Sequence, residues 1–430
     1  MKCCQFFQKT LGLALVCIAA TANAQQCDVP CDAYSTAMST DFSHCLCERS
    51  TLLGDYLGKR SALAACGISY EGDVTQYFQG VTSGGLDQQF RYGLHQDSIY
   101  TFDMDKIAGA QGLFVKMRVE SQYGDFVNGD TGAILPSNTT GMTPNFEGDT
   151  TAITNFTLTQ FLSPTFAVFA GKLDTLDGDL NAYASGRGKT QFMNIGLVAT
   201  PISFRTTPYS TWGFGFTVLG AEGTPVFTFS VIDPNDYATT FNLDDIFEDG
   251  VTLSTELRLP TEFAGRPGHH LFGGIWSDRD VALLSSAPLL ILPDVALPTS
   301  NDSWALYWNF DQQLVRNRCD SNKGWGVFGR AGFADADTNP IEWFLSFGIG
   351  GDSPIAGREN DTFGAGWFYA ATSDELPGVV LDDYGAGVEF FYNYEVTPWM
   401  HLTPDVQIID AARGNVDNAL VVGGRLSITL

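Results

Sequence analysis

Lys116, Arg118, Glu120 and Gln122 stand at every second position of one segment, and Leu113, Val115, Met117 and Val119 fill the alternate positions. If the segment is extended, one face is apolar and the other carries two cations and a carboxylate. Charged side chains at that spacing cannot enter a dry core without partners. Facing a water-filled lumen they need none, and there they could meet a polar solute directly. Other chemistry-bearing residues are less organised. His44, His95, His269, His270 and His401 are the only histidines, and none sits in a nucleophile or metal motif. Neither Gly-x-Ser-x-Gly nor His-Glu-x-x-His occurs, so neither an enzyme nor a cofactor is indicated. Asp174, Asp177 and Asp179 form an acidic loop around Gly178, but the spacing is not that of an EF-hand, so a solvated surface loop is expected. The same expectation covers 233–249, with Asp244, Asp245, Glu248 and Asp249.

The chain begins with Lys2 and Lys9, an apolar run from Leu11 to Ala20, and Ala22-Asn23-Ala24. This pattern predicts a secretory signal peptide over 1–24. No later stretch reaches the roughly twenty apolar residues a spanning helix needs, so any membrane crossing must be made by strands. Residues 25–51 form a cysteine-rich extension. After export to an oxidising compartment Cys27, Cys31, Cys45, Cys47 and Cys66 read as a disulfide cluster, and Cys319 is available to the leftover thiol. Zinc is the alternative, with His44 beside Cys45, although the spacing of Cys45 and Cys47 fits it poorly. A helical segment is expected over 52–67, with a short helix from about Tyr56 to Cys66, and a strand should begin at Ile68.

From 68 to 430 the pattern is strand after strand. Val251, Leu253, Leu257 and Leu259 alternate with Thr252, Ser254, Glu256 and Arg258. Trp304, Leu306, Trp308 and Phe310 alternate with Ala305, Tyr307, Asn309 and Asp311. Val388, Phe390, Tyr392, Tyr394 and Val396 alternate with Glu389, Asn393 and Glu395, and the last segment alternates from Leu420 to Leu430. A soluble sandwich would bury the apolar faces, whereas a membrane barrel would turn them outward around a polar lumen. Connections alternate between tight (163–164, 220–224, 397–398) and long (124–150, 174–211, 233–250, 278–302), which is how outer-membrane barrels are built. The expected fold is thus all-β: a transmembrane antiparallel barrel of about sixteen strands, an even number as closure of such barrels requires. The apolar run from Phe192 to Thr200 does not alternate and is assigned to a long loop. Trp212, Trp304, Trp325, Trp367 and Trp399 are candidates for interfacial girdles. The formal charge is −26, from 49 acids against 23 bases, which argues against nucleic acid as a partner.

Several motifs together resemble the OprB family of carbohydrate-selective porins of Gram-negative outer membranes. Leu53-Gly54-Asp55-Tyr56-Leu57-Gly58-Lys59-Arg60-Ser61-Ala62-Leu63 is similar to that family's opening. Phe169-Ala170-Gly171-Lys172-Leu173-Asp174, Gln191-Phe192-Met193-Asn194, Gly326-Val327-Phe328-Gly329-Arg330 and Gly357-Arg358-Glu359-Asn360-Asp361-Thr362-Phe363-Gly364 follow in family order. The resemblance implies an outer-membrane location, lipid as surroundings, a monomer or homotrimer, and a pore that passes small sugars. Such a pore holds a neutral polyol through arginine, carboxylates and aromatic faces. The contacts must be weak and multiple so that the solute can leave. On this basis the candidate pore-lining residues are Arg330 and Arg358, which sit in family-like motifs, with Arg91, Lys116, Arg118, Glu120, Lys172 and Glu389. Arg358 could equally pair with Asp361 and brace a turn. The rival functions are a non-selective porin and a closed structural barrel that binds a partner through its N-terminal segment.

Overall fold

The computed structural model describes residues 46–146, 148–178, 180–220, 223–291, 296–317, 320, 323–376 and 381–430. The expected leader, Cys27, Cys31, Cys45 and Cys319 lie outside the described residues. Sixteen antiparallel strands form one closed barrel: β1 (Ile68–Ser83), β2 (Phe90–Asp103), β3 (Leu113–Gly124), β4 (Thr150–Ser163), β5 (Phe166–Asp174), β6 (Ser210–Leu219), β7 (Pro225–Ile232), β8 (Thr252–Phe263), β9 (Arg266–Ser277), β10 (Ser303–Arg316), β11 (Gly324–Ala334), β12 (Ile341–Asp352), β13 (Thr362–Thr372), β14 (Tyr384–Thr397), β15 (Met400–Asp410) and β16 (Ala419–Thr429). Each strand pairs with the next in sequence, and β1 pairs with β16 from Asp73↔Thr429 onward, which leaves the barrel no free edge.

The pleat sorts the side chains. Phe390 on β14 is 54% exposed while its neighbour Glu389 is 0% exposed. Leu306, Phe347, Leu402 and Ile408 likewise face outward and are exposed, whereas Asn309, Asp405, Gln407 and Arg425 point inward and are buried. An apolar band of this extent would be a liability in water and is what a barrel offers to lipid. The apolar-out arrangement therefore excludes the soluble sandwich.

Two features differ from the expectation at the ends of the barrel. The short helix α1 runs Lys59–Ala65 rather than from Tyr56, because Tyr56, Leu57 and Gly58 hold positive φ values of 47°, 62° and 79°, incompatible with a right-handed helix. Cys66 at its C-cap is exposed and forms no disulfide among the described residues, while most of the expected cluster lies outside them. The N-terminal segment is tied to the short-turn end: Leu52 N–H donates to Thr429 O at 2.8 Å and Arg60 Nη2 to Leu430 O at 2.8 Å. Trp399 is covered there, with Nε1 donating to Leu46 O at 2.7 Å, and Trp367 lies in mid-strand; neither forms a girdle. Rim aromatics occur instead as contacts between strands. Trp304 pairs with Trp276 in register, and Trp343, Tyr369 and Tyr384 stack at 4.9 and 5.0 Å across β12–β14.

The lumen is not empty. The long β5–β6 loop, 175–209, folds into it. Its non-alternating run is too apolar to remain in water, and Phe192, Met193, Ile195, Leu197 and Ile202 are all 0% exposed. They pack against inward aromatic residues of β11–β14, including Phe328, Phe344, Phe368 and Phe391. Glycines on the wall make room for them. A Cβ at Gly364 would lie 2.7 Å from the Phe192 ring, and one at Gly366 would lie 2.8 Å from Leu197. One side of the barrel interior is thus an apolar core built between wall and loop.

Candidate functional site

The register of the first three strands sets the electrostatics of the opposite wall. Asp73 on β1 pairs with Asp97 on β2, and Asp97 pairs with Glu120 on β3. Three carboxylates in a row across neighbouring strands repel one another and need cations. The β5–β6 loop supplies them. Lys189 Nζ donates to Asp97 at 2.6 Å and to Asp73 at 2.9 Å. Arg187 Nη2 donates to Glu120 at 2.8 Å, and its Nη1 reaches Asp174 at 2.9 Å and Asp177 at 3.1 Å. The Tyr209 hydroxyl donates to the other oxygen of Glu120. Burial works against the Lys189 charge, but Asp97 and Asp73 outweigh it and raise its pKa. Burial likewise opposes the Arg187 charge, and Asp174, Tyr209, Glu120 and Asp177 hold its pKa well above the ordinary arginine range. Asp177 is pushed upward by burial, yet Arg187, Arg118 and Lys116 bring it below the usual carboxylate value.

The loop's backbone is latched by side chains from the far wall. Arg330, 2% exposed, donates Nη1 to Leu197 O at 3.0 Å and Nη2 to Val198 O at 3.1 Å and to Ala184 O. Glu389 accepts from the N–H of Met193 at 2.6 Å and of Asn194 at 2.9 Å. Arg425 Nη1 and the Tyr77 hydroxyl both donate to Gly188 O, at 2.7 and 3.1 Å. The β3–β4 loop, 125–149, joins the same assembly. Thr139 N–H donates to Met193 O at 2.8 Å, and Ile195 N–H donates to Pro136 O at 3.1 Å.

Most of the candidate residues therefore have partners other than a solute. Arg330 and Glu389 hold the inward loop. Arg118 pairs with Asp174 and with Asp177 at 3.2 Å, and Glu120 receives Arg187. Arg91 forms a two-pronged pair with Asp130, 2.7 Å on each arm, that ties down the β3–β4 loop at the long-loop rim. Lys172 donates to the carbonyls of Ile153 at 2.5 Å and Thr240 at 2.8 Å, bracing the loop after β7. Arg358 sits in the short β12–β13 turn, paired with Asp361, donating to Glu395 O at 2.9 Å and lying over the Tyr394 ring at 3.7 Å. It is the brace that the sequence allowed as its alternative role. The acidic segment at Asp174 and Asp177 is likewise an ion-pair cluster rather than a solvated surface loop.

Lys116 is different. Its side chain is 40% exposed, 3.1 Å from Asp177, and it lines an open cavity of about 320 Å³. That cavity lies between the inward loop and the walls of β3–β10, and is floored by hydroxyls, among them Thr157, Thr159, Thr228, Ser230 and Ser254. Phe169, Phe204 and Tyr307 contribute aromatic surface, and Glu256 accepts from the Tyr307 hydroxyl at 2.6 Å. A second cavity of about 450 Å³ lies toward the long loops and shares Leu176, Phe204 and Thr207 with the first. Arg205 and Arg279 border it, each held by a backbone carbonyl: Thr338 O at 2.9 Å and Pro234 O at 2.9 Å. The two cavities thus adjoin at Leu176, Phe204 and Thr207, with polar and apolar groups mixed along their walls.

Sequence reasoning missed Arg187, Lys189, Asp73, Asp97 and Tyr209. A usable signal was present: Gly186-Arg187-Gly188-Lys189 is a basic knot inside a long loop of a strongly acidic chain.

The comparisons with known proteins agree with this architecture. The family model described as "Carbohydrate-selective porin, OprB family" matches residues 88–430, so the expected opening motif at 53–63 lies before the matched span. Porin B of Pseudomonas aeruginosa is 27% identical over 133 residues, 26% of this chain and 29% of that protein, so the alignment spans less than a third of its length. The high-pH structure of Pseudomonas putida OprB superposes with a TM-score of 0.77 at 19% identity, covering 89% of this chain and 98% of that one. The low-pH structure of the same protein gives a TM-score of 0.56 at 16% identity over the same shares. These structural likenesses establish a shared barrel, and with the family match over most of its length the chain belongs to the OprB family of carbohydrate-selective porins of the outer membrane.

Proposed function

We propose that this barrel lets small neutral sugars cross the outer membrane by facilitated diffusion along the passage beside the β5–β6 loop. The observation that carries the reading is the composition of the open cavity. Hydroxyls at several heights, three aromatic faces, and one partly exposed cation match a solute made of O–H groups and C–H faces. Lys116, Glu256 and Tyr307 are the side chains expected to meet the solute, and Phe204 borders both cavities. The strong charges are consumed in holding the loop, so the passage offers many weak contacts rather than one deep well, as flux requires.

Single-channel recording of the detergent-purified full chain in a planar bilayer, with glucose and maltooligosaccharides titrated in, tests this. Reversible sugar block that weakens severalfold in Lys116→Ala and Tyr307→Phe is the expected result. Open channels indifferent to sugar would leave a non-selective porin, and an absence of channels would favour the closed structural barrel.

A further inference from the structure

The buried wall beside the loop anchor contains an arrangement that hydrogen bonding leaves incomplete. His95 and Asp97 are two residues apart on β2 and so share a face, and Glu120 is the β3 partner of Asp97. All three are buried: His95 is 1% exposed, Asp97 3% and Glu120 0%. One ligand atom from each can be chosen so that all lie within 4.8 Å of one another, close enough for a single ion to touch all three. His95 Nε2 lies 3.1 Å from Thr143 Oγ1, which is itself 3.5 Å from Thr140 O. If the Thr143 hydroxyl donates to that carbonyl, it accepts from His95, the proton sits on Nε2, and Nδ1 is left with a bare lone pair. Nδ1 and Asp97 Oδ1 are both buried without a hydrogen-bond partner. Two buried lone-pair acceptors are thus left without a donor beside a second carboxylate, that of Glu120.

The geometry points to a divalent transition-metal site formed by His95 Nδ1, Asp97 Oδ1 and the Glu120 carboxylate. One imidazole and two carboxylates form a donor set for zinc or a similar borderline ion rather than for calcium, which prefers oxygen alone. Thr143 has the role of an outer partner that fixes the tautomer and orientation of the ligating ring. The surrounding cations do not forbid the ion. Lys189 uses Asp97 Oδ2 and leaves Oδ1 open, while a carboxylate such as Glu120 has lone pairs beyond those taken by Arg187 and Tyr209. Within the ion-pair cluster, Asp73, Asp97, Glu120, Asp174 and Asp177 face Lys116, Arg118, Arg187 and Lys189, an excess of one negative charge. The ion would join β2 and β3, with the β3–β4 loop held to it through Thr143. This inference is independent of which solute the pore carries.

The test is isothermal titration calorimetry of zinc chloride into the detergent-purified full chain, with thiols alkylated beforehand so that the cysteine-rich segment cannot contribute. One zinc per chain is expected for the wild type, with calcium binding far more weakly. His95→Gln should lose the zinc site, and Thr143→Val, which keeps every ligand, should weaken it by about 10–100-fold. Heat-modifiable migration on a gel checks that each variant still forms a closed barrel. Cobalt substitution gives a second readout, since a visible absorption band that disappears in His95→Gln reports nitrogen ligation. No zinc uptake by the wild type, or uptake unchanged in both intact variants, would overturn the assignment and leave a proton or a buried water between His95 and Asp97.

Discussion

Arg330→Met should unlatch the loop that narrows the pore. In the wild type the buried guanidinium donates to the carbonyls of Leu197, Val198 and Ala184, all on the inward loop. A hydrogen bond to a charged group contributes about 1.5–3 kcal/mol net, and each carbonyl left buried without a donor costs about 1–3 kcal/mol. Against this, an opened loop returns the guanidinium to water, which recovers part of its desolvation cost. Taking only about half of the gross value leaves about 3 kcal/mol favouring the closed loop. At tenfold per 1.4 kcal/mol, that is a rise in open population on the order of 100-fold. Trypsin reads it directly, because Arg187 and Lys189, with side chains 15% and 8% exposed, are inaccessible while the loop is in place. When opening is fast relative to cleavage, the cutting rate follows the open population. Cleavage between 175 and 209 should therefore accelerate by roughly that factor in Arg330→Met, and by less in Arg330→Lys, which keeps the charge but not the planar fork. A change below about threefold, less than 1 kcal/mol, in a variant that still migrates as a closed barrel would refute the latch.

Gly366→Ala places a methyl 2.8 Å from Leu197, and should destabilise the loop by about 1–3 kcal/mol. Pairing it with Leu197→Ala should recover much of that loss, so a double-mutant cycle by urea unfolding that shows simple additivity would count against this packing. Acid should loosen the same loop. Asp177 is pushed up by burial but held below its ordinary pKa by Arg187, Arg118 and Lys116. Its contribution is therefore fully present above the unfolded value of about 3.9 and lost as pH falls through the depressed folded value. Pepsin cleavage within 175–209 should rise between about pH 4 and pH 2, and Asp177→Asn should flatten that dependence. Arg358→Ala should leave sugar block unchanged while lowering resistance to heat, because its partners Asp361, Glu395 and Tyr394 all belong to a short turn and the strand beside it. Weakened sugar block in that variant would return Arg358 to the pore.

The amino-acid order by itself determined the wall of this protein. Side-chain direction in a strand has a period of two. Alternations such as Leu306/Trp308 against Asn309/Asp311 therefore fix which side of each strand meets lipid, whatever the neighbours are. Tight and long connections then fix the meander and its two unlike ends. The same local signal told that Phe192–Thr200 was not a strand, since an apolar run that does not alternate has no outward and inward face. Only the tertiary structure decided what fills the lumen. Whether Arg330 meets a solute or the carbonyl of Leu197 depends on a loop more than a hundred residues away entering the barrel. The need for Lys189 and Arg187 inside it follows from a strand register that aligns Asp73, Asp97 and Glu120. Register and loop entry are settled by pairings distant in sequence, and a one-residue slip would turn every one of these groups to the other face. Hence the lipid-facing surface was legible in the chain, and the division of its inward charges between latch and passage was not.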